Sequence, residues 1–586
     1  MTDLDFVVSP VQTKVEINDQ NNEDFIPGTL NIYSLEVDSE DENVSHYDAA
    51  SRPKVKTKGN IILFPQPSNS CNDPLNWSKW RKLSNFFIVI FITAFTAATS
   101  NDAGSIQDSL NEKYGISYDA MNTGAGVLFL GIGWGTFFLT PASSLYGRKI
   151  TYFICIFLGL LGAVWFALVK STSDSIWSQL FVGISESCAE AQVQLSLSEL
   201  YFAHNLGSVL TSYIVATSVG TYLGPLIAAF IVQNIGFRWV GWIAAIISGA
   251  LLFVIVFCLD ETYFDRAKFT KPFITGIAPF DSSYSNGKLD SKNSIPEKQN
   301  SINIELNVES KEVEQSDDDI ANEGENDPPI SYWKRTAMIT PATNLKGTGF
   351  KQYINQLKLL LKVFLYPPVI YSGFCWGIQN ALLTFYLTVE DDQYYDPPYS
   401  YGNIAVGLMN IPCLIGAIIG CFFAGTLSDY FTIYLAKRNK GIQEAEYRLW
   451  FLLPPAIIAP VGLILFAVGT DQVWSWVPTY IGLGFIGFGY GCAGDVSMSY
   501  LMDSYPNAVI ETMTVVAVIN NCIGCVFTFA CSPFINALGN TKTFIILAVI
   551  EFVIMASACF FIYYGKRIRI WTKDWYLEFC EARNGL

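Results

Sequence analysis

The chain has little charge, almost no histidine and no framework of paired cysteines, and each shortage excludes a class of protein. Only 15% of its 586 residues are charged, against about 25% in ordinary soluble chains. Two histidines, His46 and His204, are too few for a histidine-based metal site. Most of the 13 cysteines lie in apolar runs, where cysteine behaves as a small apolar residue. With no nucleophile–base motif and no phosphate-binding loop, we predict neither an enzyme nor a cofactor.

Long apolar runs dominate instead, and 51% of the residues are hydrophobic. A run of about 20 such residues crosses a bilayer as a helix, because lipid offers no partner to an unpaired backbone group. We predict an all-α membrane protein of twelve transmembrane helices in two six-helix halves. The spans are expected at about 84–112, 121–143, 150–169, 176–198, 207–232, 239–259, 367–388, 403–425, 450–469, 476–500, 513–535 and 543–564.

Basic residues orient these spans. If the N-terminus is cytoplasmic, the outer loops hold only Lys113, Lys170, Arg238 and Lys542, and the rest of the 36 Lys and Arg face inward. Both termini are therefore expected in the cytoplasm. The net charge of −16 gives no reason to expect a nucleic-acid partner.

Polar segments divide the chain into six parts. We predict a mostly disordered N-terminal tail (1–82), an N-terminal bundle (83–264), a largely disordered linker (265–348), an amphipathic helix on the inner leaflet (349–366), a C-terminal bundle (367–565) and a cytoplasmic C-terminal tail (566–586). Alternatively, 349–366 only leads into span seven.

The ionisable side chains deep in the predicted spans are all acidic: Asp102, Glu186, Glu190, Asp495 and Glu551. At the bilayer centre each charge costs about 2.5–3.5 kcal/mol on the most lenient scale. Without a basic partner, such a carboxylate must be neutralised by a proton or a bound cation. A site that alternates between the two is a proton-coupled cation site. Glu551 is expected on a peripheral span, with a structural or lipid-edge role.

Glu186 and Glu190 are one helical turn apart, which places their Cβ atoms about 5–6 Å from each other. Two ammonium groups on a short methylene chain have a comparable separation. Cation–π contacts are expected from Trp134, Tyr222, Trp376 and Tyr386. An acidic outer loop is expected to raise the local cation concentration through Glu390, Asp391, Asp392 and Asp396.

Two short motifs resemble those of a known family. "LYGRK" (145–149) resembles the inner-loop motif of the major facilitator superfamily, and "GTYLGPLIAA" (220–229) the fifth-span motif of its twelve-span drug/proton antiporter branch. The resemblance implies gating or motif roles for Gly147, Arg148, Gly220, Gly224, Pro225 and Asp429. Ser144 stands where the loop motif has an acid, whereas Asp429 supplies that acid in the second half.

Further stretches, such as "VGISESCAEAQVQLSLSEL" and "YYGKRIRIWTKDWYL", resemble the Hol-type histidinol and polyamine carriers of yeast. The resemblance implies plasma-membrane uptake of organic cations such as spermidine or putrescine, driven by the proton gradient. In the superfamily's architecture, spans one, four, seven and ten line the cavity. The implied substrate- and proton-binding residues are Asp102, Glu186, Glu190, Gln379, Asn380 and Asp495.

Two other functions remain open. The fifth-span motif is typical of antiporters, so the chain is alternatively a drug or cation efflux protein. The long tails suit a nutrient sensor that binds without transporting.

Overall fold

The computed structural model describes residues 26–31, 57–58, 61–62, 67–264, 328–395, 397–439 and 441–584. Most of the predicted disordered tail and linker lies outside these residues, as does Asp396. We call the end of the bundle that carries Arg148 and Arg448 the inner face, and the opposite end the outer face.

Two groups of six helices form the fold. Spans one to six are Lys79–Asn101, Tyr118–Tyr146, Arg148–Ala167, the broken helix Thr172–Ser187, Cys188–Val193 and Gln194–Leu200, then Ala203–Ile235 and Arg238–Phe257. Spans seven to twelve are Pro367–Gln393, Asn403–Arg438, Ala445–Asp471, Trp476–Ser504, Val509–Leu538 and Asn540–Trp571. The halves meet where spans two and eleven pack together and where span five packs on spans eight and ten.

Shorter elements join the spans. The helical ones are Pro74–Asn76, Gly104–Ile106, Gln107–Tyr114, Tyr332–Arg335, Phe350–Val363 and Lys573–Asn584. Two antiparallel strand pairs are Thr29–Asn31 with Ile442–Glu444, and Thr57–Lys58 with Ile61–Ile62.

Nine helices in the described part of the chain are long and apolar enough to cross a membrane, or ten if the pair Phe350–Val363 and Pro367–Gln393 counts as one span. Spans four and ten fail this test, and span seven passes it only together with Phe350–Val363. Span four is broken and carries three glutamates, and span ten is almost continuously buried between 490 and 502. A helix shielded from lipid by its neighbours needs no apolar outer face, so both are consistent with a twelve-span fold.

Local signals set the ends of several spans. The Ser117 hydroxyl accepts from the Ala120 N–H at the start of span two, and Ser171 and Asp174 form a capping box at the start of span four. Gly147, with φ of 100°, makes the turn between spans two and three. This left-handed conformation favours glycine, and a Cβ there would lie 2.7 Å from Glu261 Oε2.

The ends of spans one and seven differ from the prediction. Span one ends at Asn101 rather than near 112, because the chain turns there into the separate helices Gly104–Ile106 and Gln107–Tyr114. Span seven runs to Gln393 rather than 388, so Glu390 and Asp391 belong to a helix and not to an outer loop.

Phe350–Val363 bends by 82° into span seven and is a helix in its own right. Its buried Leu360 packs with Phe137 of span two and Val518 of span eleven. This amphipathic helix therefore contacts both halves at the inner face.

The N-terminal segment 26–31 belongs to the tail predicted to be mostly disordered, but it is docked on the C-terminal half. Its strand pairs Thr29 with Glu444. Beside it, fully buried Arg569 binds both carboxylate oxygens of Glu446, at 2.8 and 2.6 Å, and donates to the Pro27 carbonyl. A buried ion pair thus holds both the tail and the inner end of span twelve.

We predict that Glu446→Ala destabilises the protein by about 3–5 kcal/mol, because it leaves the Arg569 guanidinium buried without its counter-charge. Thermal unfolding of the purified protein in detergent measures the loss as a lower melting temperature. The matched control is Glu578→Ala, which breaks the exposed pair with Lys362 and should change stability by about 1 kcal/mol or less. Equal melting temperatures for the two variants would contradict this role of Arg569.

Candidate functional site

A cavity lies between the two halves and reaches from their middle to the outer face. Five carboxylates line it, and no Lys, Arg or His does so in the part of the chain that the structure describes. The acids are Glu186, Glu190, Glu390, Asp391 and Asp392. Such a surface attracts cations and repels anions.

The deep end of the cavity holds the two acids of span four. Glu186 is half-buried and lies beside Ser100 of span one. Glu190 is buried and lies beside Asn520 and Asn521 of span eleven, and its Oε2 has no hydrogen-bond partner in the part of the chain that the structure describes. We call Glu186 and Glu190 the deep pair.

Between these two residues the helix changes its winding. From Cys188 to Val193 it widens into a π-helical segment, a departure that often occurs at functional sites. The second residue of the pair therefore lies on a wider turn than the regular α-helix expected from the sequence, and both side chains line the same cavity.

Only part of the predicted set of binding residues meets here. Asn380 lines the cavity with the deep pair, whereas Asp102, Gln379 and Asp495 do not. Asp102 is buried at the end of span one, where the chain leaves the helix. Asp495 is buried nearer the inner face and accepts from Thr211 Oγ1 of span five at 2.8 Å, so it links the two halves.

Gln379 instead contacts Glu551, the remaining acid that was predicted deep in a span. Its Nε2 donates to Glu551 Oε1 at 3.0 Å, and Glu551 is 1% exposed. Of the two roles expected for Glu551, the lipid-edge one is wrong, because its side chain points into the C-terminal bundle, where a structural role remains.

The outer end of the cavity holds three of the four acids that were expected in an acidic outer loop. Glu390 is buried and Asp392 exposed, and Asp391 lies close to Gly104, 3.1 Å from a Cβ built there. The apolar run of span seven ends at 388 in the sequence, so hydropathy does not show that the helix continues to Gln393. A signal was present: Trp376, Asn380, Thr384, Thr388 and Asp391 recur every three or four residues, as on one helix face.

Aromatic rings border the deep pair. Trp376 and Tyr490 line the cavity with ring centroids 4.8 Å apart, and Tyr222 packs behind Tyr490 at 5.7 Å. The other two predicted aromatics have different roles. Trp134 is 45% exposed on the outside of the bundle, and the Tyr386 hydroxyl donates to Asn410 Oδ1 at 3.0 Å.

A family model described as "Major Facilitator Superfamily" matches residues 86–529, which is most of the chain. The chain belongs to this superfamily. It is a multi-pass membrane transporter.

Relatives in the superfamily match almost the whole chain. Protein HOL1 of Saccharomyces cerevisiae is 53% identical over 97% of this chain and 99% of its own length. An uncharacterised MFS-type transporter of Schizosaccharomyces pombe is 48% identical over 96% of this chain and 95% of its own. The solved proton:xylose symporter XylE matches with a TM-score of 0.54 and 12% identity, over 83% of this chain and 97% of that one, which shows a shared fold.

At the inner face, the superfamily's loop motif forms an ion pair. Arg148 Nη2 lies 2.9 Å from Glu199 at the inner end of span four, and the backbone N–H groups of Arg148 and Lys149 donate to Glu261 at 3.0 Å each. Ser144 takes no part, since its hydroxyl bonds the Thr140 carbonyl. Glu199 and Glu261, neither of which was predicted from the sequence, thus supply the negative charge that Ser144 lacks.

The second half repeats the arrangement. Arg448 lies between Asp429 and Asp503, 2.6 Å from each. Asp429 also touches Gly207 in the first turns of span five, which belongs to the other half. A helix N-terminus favours a negative charge, so this contact suits Asp429 and links the two halves at the inner face.

The span-five motif has a packing role. Gly220 and Gly224 face span one so closely that an added Cβ would lie 2.8 Å from Ala97 Cβ and 2.6 Å from the Ala98 carbonyl. Pro225 lines the cavity, and its carbonyl accepts from Ser105 Oγ at 2.9 Å. The small residues therefore let spans one and five approach closely.

We predict that Arg148→Ala slows substrate turnover by about tenfold, an effect of about 1.4 kcal/mol on the transport barrier. Glu199→Gln should have the same effect because it removes the other half of the ion pair. Equilibrium binding should be nearly unchanged in both variants, since the pair is remote from the cavity. Uptake rates and ligand binding at equal surface expression test this, and lost binding would contradict a gating role.

Proposed function

We propose that the chain takes up polyamines such as spermidine and putrescine, together with related organic cations, across the plasma membrane. Both termini lie in the cytoplasm, and the proton gradient drives transport by alternating access. The main support is the cavity, which is lined by five carboxylates and by no basic side chain of the described residues.

The chemistry of the deep pair supports a cationic substrate. An ammonium group donates three hydrogen bonds, and carboxylates only accept when ionised. Charge-assisted bonds of this kind are about twice as strong as neutral ones. The rings of Trp376 and Tyr490 offer aromatic faces beside the pair, to which ammonium groups are also attracted.

The same carboxylates support proton coupling. With no basic side chain among the described residues that line the cavity, either a proton or the substrate must neutralise them when the site closes. A carrier that exchanges the two as it alternates couples the proton gradient to the cation. Inward cation movement also requires closure of the inner face when the cavity is open outside, and the contacts of Asp429 and Asp495 suit that step.

Glu186→Gln tests the proposal, because it keeps the shape and hydrogen bonding of the side chain but removes charge and titration. We predict that it abolishes proton-driven spermidine uptake without loss of folding, since a neutral amide is easier to bury. Glu190→Gln should reduce uptake less, most for substrates with several charges. Radiolabelled uptake with and without a protonophore, in cells that lack their own carrier, measures both.

The matched control is Glu551→Gln, which neutralises a buried acid outside the cavity and should retain uptake. If Glu186→Gln reaches the surface and accumulates spermidine at the wild-type rate and pH dependence, the carboxylate site is refuted. Lower accumulation in cells with the wild-type chain than without it would indicate efflux. Binding without flux would indicate a sensor.

A further inference from the structure

The carboxylates of the cavity form two separate groups. The deep pair belongs to span four, and Glu390, Asp391 and Asp392 belong to the outer end of span seven. Leu383, Thr384 and Leu387 line the cavity along span seven before the outer group. Asn380 and Thr388 line it there as well, so the two acidic groups are joined by a path of apolar and small polar side chains.

Glu390 differs from its two acidic neighbours because it is 1% exposed. Its Oε2 accepts from Asn410 Nδ2 at 3.5 Å, and Tyr386 fixes that amide by donating to Asn410 Oδ1 at 3.0 Å. The other oxygen, Oε1, is buried and has no hydrogen-bond partner among the described residues. The structure therefore positions one carboxylate oxygen with two side chains and leaves the second unpaired among the described residues, at the wall of the cavity.

The helical rise of span seven gives the axial distance between Glu390 and the residues of the same span that lie beside the deep pair. Trp376 lies against Tyr490 beside the deep pair, and Asn380 is one turn further out. Glu390 follows these residues by 14 and 10 positions, which corresponds to about 15–21 Å along the axis. The ammonium–carboxylate hydrogen bond at each end accounts for about 2.8 Å of that separation, and the amine itself must span the rest.

Chain length decides which amines reach both groups. Three bonds of an extended chain span about 3.8 Å, so a diamine with five bonds between its nitrogens spans about 6 Å and a triamine with nine about 11 Å. A tetraamine with thirteen bonds spans about 16 Å. On these lengths the triamine and the tetraamine are long enough to reach from the deep pair to Glu390, and the diamine is too short.

We propose that Glu390 is the outer anchor of a two-ended site that selects linear triamines and tetraamines over diamines. The deep pair binds one terminal ammonium, Glu390 binds the other, and the methylene chain lies along Leu383 and Leu387. The inference rests on the proposed function, since it assumes that amines enter this cavity.

The test compares uptake of butylamine, putrescine, spermidine and spermine by the wild-type chain and Glu390→Gln. We expect the variant to raise the KM for spermidine and spermine by roughly tenfold or more, because one charge-assisted bond is lost. The KM for butylamine and putrescine should change by less than about twofold, since they never reach Glu390. The rise should persist at high salt, unlike the screened effect of an exposed charge.

Glu112→Gln is the matched control, because Glu112 is an exposed acid of the outer helix Gln107–Tyr114 that does not line the cavity. It should leave every KM unchanged. Glu390→Asp keeps the charge but retracts it by one methylene, so it should give a smaller rise with the same dependence on amine length. This variant decides the question if Glu390→Gln fails to reach the surface.

Two results would overturn the two-ended site while sparing the proposed function: an equal rise in KM for all four amines, or no rise for spermidine. Both leave uptake intact and dependent on Glu186. Absence of amine uptake by the wild-type chain at the cell surface would instead refute the proposed function, and the two-ended site with it.

Discussion

Carboxylates buried without a basic partner are the constraint on which the rest of the structure depends. Glu186, Glu190 and Glu390 line a cavity with no Lys, Arg or His among the described residues, so protein groups cannot neutralise them. Charge is balanced there only by what enters from outside, a proton or a cation. At the inner face the opposite holds, because Arg148, Arg448 and Arg569 are each paired with an acid.

This division of charge separates the two tasks of the molecule. Paired charges at the inner face hold helix ends, the N-terminal strand and the contact of Asp429 with the other half. Unpaired charges in the cavity remain available to ligands. Polar helices such as span four are possible because neighbouring spans shield them from lipid, and close glycine contacts such as Gly220 on Ala97 allow that packing.

The sequence predicts the helices and the negative charge of the cavity well. Both follow from composition, namely from long apolar runs and from the lack of Lys and Arg within them. The sequence does not predict the location and the partners of side chains that depend on how distant helices pack. The apolar run of span seven ends before Glu390, so the sequence places this buried side chain in an outer loop. Nothing in the spacing of Asp495 or Gln379 shows that they face Thr211 and Glu551, since these partners lie far away in sequence. The strand at 29–31 likewise depends on a distant loop.

The central claim is that cation and proton compete for the same carboxylates. Isothermal titration of spermidine into the purified protein, in buffers of different ionisation enthalpy, counts the protons exchanged on binding. Competition predicts that spermidine releases protons, that its affinity rises with pH, and that Glu186→Gln reduces the number released. Binding without proton release, at an affinity independent of pH, would contradict the claim.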